Sequence, residues 1–184
     1  MSEDSASLSA WQKVALIVLR TLIGWHFAYE GYYKMALPGW SSQGEPLGRW
    51  TAAGFIRAAK GPAAKLAQTL LDHGWGPLID HAVIIGLLAA GISLMLGIFT
   101  RIGCWVAIAL LALFYLTAIP LRGIPEPGGE GAYLLVNKNL IELAAVVALA
   151  SLKTERIAGL DLLWRRRSAS TEQALNESKP ATTA

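Results

Sequence analysis

Two stretches of this chain, residues 81–100 and 102–121, contain no Asp, Glu, Lys or Arg, and Arg101 alone separates them. Each has about the length needed to cross the ~30 Å hydrocarbon core of a bilayer as a helix. Two further stretches are mostly apolar. One runs from about Val14 to Lys34 and is interrupted by Arg20, His26 and Glu30. The other runs from about Ala132 to Leu152 and carries Lys138, Asn139 and Glu142. The pattern predicts four membrane-spanning helices at 14–34, 81–99, 102–121 and 132–152. Only Thr100 and Arg101 lie between the second and third, so a tight antiparallel hairpin is expected there.

The expected fold class is therefore all-α: a four-transmembrane-helix bundle with a long outer loop bearing short interfacial amphipathic helices. That loop, 36–80, exceeds a mere connector in length. It opens on the turn-rich PGWSSQGEP and ends in AAKLAQTLLDH, where Leu66 and Leu70 share a face. Pro62 suits the first position of a helix. Trp40, Trp50, Phe55 and Trp75 suit the headgroup zone. The stretch RGIPEPGGEGAY at 122–133 reads as a turn region. The chain divides into an N-terminal segment 1–13, a membrane domain 14–164 and a polar tail 165–184 that is expected to be disordered.

Ionisable residues in an apolar span need a reason. At 100° per residue, Arg20, His26, Phe27, Glu30, Gly31 and Lys34 fall within roughly 140° of arc. Val14, Val18, Leu22, Trp25, Tyr29 and Tyr32 take the opposite arc. Facing a charge toward acyl chains costs several kcal/mol, so the polar arc should point into the bundle. Lys138 and Asn139 share a face with Glu142, which lies four and three residues on. Counted inward from the outer ends, Glu30 and His26 lie about 7 and 13 Å deep, and Lys138 and Glu142 about 9 and 15 Å. Two polar faces thus reach one outer-half layer. Spans one and four are expected to meet there, with Lys34 and Lys138 neutralising the two carboxylates. The same residues would also serve as a self-satisfied network that fixes helix register.

Arg20 lies nearer the inner end. Either it snorkels to the inner phosphates, or it meets a ligand oxygen or an anionic headgroup. In the second span, Ala82, Gly86, Ala90, Ser93 and Gly97 form a small-residue stripe suited to close helix packing.

Composition narrows the classes. The 184 residues are 54% hydrophobic and 16% charged, with mean hydropathy +0.43. This excludes a disordered chain, and a soluble domain so small has too little interior for that apolar surface. With one cysteine, Cys104, there is neither a cystine scaffold nor a C-x-x-C redox motif, and Cys104 reads as a packing residue. His81 lies at the outer end of span two and His73 in the outer loop, far from a bis-histidine haem arrangement with His26. No metal-ligand spacing, phosphate loop or serine triad occurs. The net charge of +3 offers nothing to nucleic acid. The Arg165–Arg166–Arg167 run after span four reads as a topology signal that places both termini in the cytoplasm. The first span reads as an uncleaved anchor.

Several segments, GWHFAYEGYYK at 24–34, PGWSS at 38–42, GISLMLGIFTR at 91–101, VNKNLIE at 136–142 and GLDLLW at 159–164, resemble the DoxX/DoxD family of integral membrane proteins. The resemblance covers roughly residues 16–164. It implies a four-helix bundle in a bacterial or archaeal cytoplasmic membrane. One branch of the family resembles the DoxD subunit of a membrane thiosulfate:quinone oxidoreductase. That implies quinone as an acceptor, no covalently bound cofactor and a second oxidoreductase subunit or periplasmic partner; an oligomer is also compatible.

The candidate ligand-binding set is Arg20, His26, Glu30, Lys34, Lys138, Asn139 and Glu142, read as a quinone or proton pocket with Phe27 and Tyr33 flanking the ring. The alternative is a non-enzymatic scaffold or assembly factor that binds a partner through the 36–80 loop. A solute or proton pathway ranks third, because Arg20 alone supplies polarity in the inner half.

Overall fold

The computed structural model describes residues 8–36, 50–120 and 134–160. The tail, the 122–133 turn region, PGWSS at 38–42, the Arg165–Arg167 run and most of GLDLLW lie outside the described residues. Helix is the sole regular structure among those described. The elements are α1 (Ala10–Ala36), α2 (Ala53–Ala58), α3 (Ala64–Asp72), α4 (Gly76–Leu96), α5 (Thr100–Thr117) and α6 (Lys138–Ser151), followed by a 3-10 turn at Thr154–Arg156. Helices α4 and α5 are long and apolar enough to cross a membrane.

Local chemistry explains the boundaries. Helix α1 starts four residues before the expected Val14 because Ser9 and Gln12 form a capping box. The Ser9 backbone N–H donates to Gln12 Oε1 at 2.7 Å, and the Gln12 N–H donates to Ser9 Oγ at 3.2 Å. Helix α4 begins at Gly76, with Pro77 in its first turn where the missing N–H costs nothing. It ends at Gly97, whose φ of 66° is the left-handed conformation that closes many helices. The turn to α5 is thus Gly97–Ile98–Phe99, not Thr100–Arg101, which already belong to α5. Ser93 Oγ donates to the carbonyls of Ile98 (2.7 Å) and Phe99 (3.2 Å) and ties the turn back. Helix α3 starts at Ala64, two residues after Pro62, which sits in the preceding turn.

Helix α6 is shorter than the span expected at 132–152. Leu135 has φ 65°, which breaks any helix running through it. Asn137 then caps α6, its side-chain oxygen accepting from Leu140 N at 3.1 Å. The 14 residues of α6 extend about 21 Å. Lys138 is therefore the first residue of the helix rather than nearly two turns in.

The helices pack as a ring in the order α1–α4–α5–α6, which α6 closes by touching α1. The α1–α4 seam is tight: a Cβ on Gly24 would lie 2.7 Å from Met95 N, and one on Gly91 would collide with Ala28. The small-residue stripe of α4 faces another way, with Gly86 against Leu110, Ser93 against Gly103 of α5, and Gly97 against Gly159. The core between the helices contains Ile23, Phe27, Val83, Leu87, Leu94, Cys104, Leu111, Val146 and Leu149. Cys104 is 1% exposed and packs there. Val14, Val18, Leu22, Trp25, Tyr29 and Tyr32 all point outward from α1, as do Ile85 and Ile92 from α4 and Ile102, Trp105 and Leu113 from α5.

The described part of the segment between α1 and α4 is docked against the bundle. Gly61 N donates to Thr117 O (2.8 Å) and Ala63 N to Leu116 O (3.1 Å), so the segment before α3 hydrogen-bonds the end of α5. Gln68 Nε2 on α3 donates to the carbonyls of Ile56 (3.0 Å) and Ala59 (3.2 Å) and holds α2 against α3.

Candidate functional site

Polar faces of α1 and α6 meet in one cavity of about 370 Å³ at the end of the bundle where α1 ends and α6 begins. From α1 it receives His26, Phe27, Glu30 and Lys34. Their i, i+4, i+8 spacing follows from the helical period. From α6 and its cap come Asn137, Lys138, Asn139 and Glu142. Apolar residues Val83, Leu87, Leu111 and Phe114 form the floor, and Trp50, Ala52 and Phe55 form the roof. The result is amphipathic: polar on the α1/α6 side, apolar beneath, aromatic above.

Each carboxylate has a basic neighbour. Glu30 Oε2 accepts from Lys34 Nζ one turn along α1. His26 Nε2 stands 3.4 Å from Glu142 Oε1 across the α1–α6 boundary, with the side chains 36% and 20% exposed. The imidazole of the opposite helix is thus one partner of Glu142 that the spacing did not single out. Lys34 also lies 5.3 Å from the centre of the Trp50 ring, within cation–π range. Phe55 meets Phe114 edge-to-face at 6.5 Å between ring centres. Lys138 and Asn139 bring N–H donors to the wall.

Six of the seven expected residues therefore share this cavity, and Arg20 does not. It lies one turn or more further inward at 3% exposure. Its Nη1 donates to Ala158 O at 2.7 Å and to Thr154 O at 3.4 Å. These backbone carbonyls are partners that the sequence did not suggest for it. The guanidinium is buried because the turn after α6 folds under it and presents carbonyls, which its fixed fork of donors can satisfy. Tyr33 is also displaced from its expected place. It stacks on Tyr29 on the outward side of α1, while Trp50, Phe55 and Phe114 supply the aromatic walls.

Sequence reasoning missed Asn137, the aromatic roof and Asp80. The first had a signal, since Asn before a helical run is a capping signature. The roof residues were read as headgroup-zone aromatics. Asp80 flanks a charge-free window and looked like a span boundary, yet it is 7% exposed. Among the described residues no group of three His, Cys, Asp or Glu side chains is arranged to hold a metal ion.

Comparison of the chain with protein-family models, curated proteins and solved structures found no match.

Proposed function

We propose that this chain is a membrane protein of DoxX/DoxD type whose α1–α6 cavity holds the headgroup of a lipid-soluble quinone, as the quinone-interacting subunit of a membrane oxidoreductase. In this reading α1, α4, α5 and α6 span a cytoplasmic membrane, and α2 and α3 lie at its outer surface. The exposed apolar side chains around all four helices support membrane placement, because a surface of that extent needs a nonaqueous neighbour.

The observation that carries the ligand assignment is the division of the cavity. A quinone ring is flat and apolar, with two carbonyl oxygens that accept hydrogen bonds and take protons on reduction. Phe27 of α1, Phe114 of the floor and Phe55 of the roof face the ring, and the polar wall offers N–H donors from Lys138 and Asn139. His26 and Glu142 form an exchangeable pair at that wall, suited to delivering a proton to a reduced oxygen. In this reading the electrons come from a partner subunit or a sulfur-containing donor.

Purified protein should retain ubiquinone or menaquinone on solvent extraction and mass spectrometry, and a short-tailed quinone analogue should raise its melting temperature. Absence of quinone together with an unmoved melting temperature would remove this reading.

A further inference from the structure

Asp80 lies on the wall of α4 that faces the cavity, since Val83 and Leu87, three and seven residues on, form the floor. A hydrocarbon side chain would suit that wall. Instead a carboxylate is buried there, which is costly unless it is used. Its Oδ1 accepts from the backbone N–H of Ala52 at 2.7 Å and from Thr51 Oγ1 at 3.2 Å. Thr51 and Ala52 sit between Trp50 and Phe55, the two aromatic roof residues. The far end of this roof is already fixed, because Gly61 and Ala63 hydrogen-bond the end of α5 and Gln68 holds α2. Asp80 ties down the near end.

We propose that Asp80 is a positioning residue that holds the Trp50–Phe55 segment closed over the cavity, and thereby keeps water from the ligand. It touches no ligand. It acts through the backbone of Ala52, which sets Phe55 over the floor and Trp50 beside Lys34. The consequence for ligand binding rests on the quinone reading; the closure itself does not.

The test uses the full chain in detergent with Ala52→Cys, which keeps the backbone N–H that Asp80 binds. Ala52 is buried, so a water-soluble maleimide should label Cys at this position slowly. Adding Asp80→Ala should raise the labelling rate about tenfold, because a buried acceptor has been lost. Asp80→Asn retains a side-chain oxygen acceptor and should label nearly as slowly as the parent. Thr51→Val, which loses the longer bond, should give a smaller rise. Cys104, in the core, is the internal control and should stay unlabelled throughout, so that a gain at position 52 reports the roof rather than general unfolding. Decylubiquinone affinity should fall about tenfold in Asp80→Ala and be rescued in Asp80→Asn. Unchanged labelling in Asp80→Ala and Thr51→Val would overturn the proposal, as would a rise at position 52 matched by labelling of Cys104. If decylubiquinone binds no variant and not the parent either, the quinone reading fails while the labelling still decides the role of Asp80.

Discussion

A charged side chain inside an apolar bundle is stable only where its partners are, and Arg20 and Glu142 answer that demand differently. Arg20 Nη1 donates to the carbonyls of Thr154 and Ala158, so it acts as an internal clamp on the turn after α6. Arg20→Ala should destabilise the protein by about 1–3 kcal/mol, because those buried carbonyls lose their donor. It should leave the affinity for a quinone analogue within about twofold, since the residue lies outside the cavity. Thermal denaturation and ligand titration of the same variant separate the two effects. Glu142 meets His26 at the cavity wall, so its removal should show the opposite balance. Glu142→Gln keeps the shape but removes the charge facing the imidazole. It should lower quinone-analogue affinity about tenfold with little loss of melting temperature. A stability loss without an affinity change would make the pair a register device instead.

Helix boundaries and packing faces belong to the next scale. The polar arcs of α1 and α6 were readable from spacing alone, because helical period fixes which residues share a face. So was the outward row Val14, Val18, Leu22, Trp25. Three features were not readable. The start of α6 depends on the left-handed Leu135, which lies in an apolar run and gives no local sign of a break, even though the Asn137 cap after it carries a signature. The turn between α4 and α5 depends on Gly97, which resembles any other glycine in a small-residue stripe. The roof depends on a bond between residues 28 apart in the chain, which no local pattern encodes. Two variants test these element-level accounts. Asn137→Ala should cost about 1 kcal/mol through the lost cap, measured as a fall in melting temperature. Gly91→Val should abolish the α1–α4 seam and sharply reduce folded protein in the membrane fraction, because its branched Cβ would meet the Ala28 backbone. Gly54→Ala, with open space at its Cβ, is the matched control and should accumulate normally.

At the scale of the molecule, the described residues form a ring of four helices that buries an apolar core inward, exposes an apolar belt outward, and gathers His26, Glu30, Lys34, Lys138 and Glu142 at one end. Sequence reading found that end because two ionisable faces cannot both be left in hydrocarbon. It could not find what closes it, because aromatic residues in a loop serve a headgroup zone and a cavity roof equally well. The central claim is that a quinone ring enters this end of the ring of helices and not the outer belt. Photo-crosslinking of the full chain with an azidoquinone, mapped by peptide mass spectrometry, addresses it directly. The account predicts label on the 26–34, 50–55 and 137–142 stretches, suppressed by excess unmodified quinone. Label confined to outward residues such as Ile85, Trp105 and Leu113, and indifferent to competitor, would contradict it.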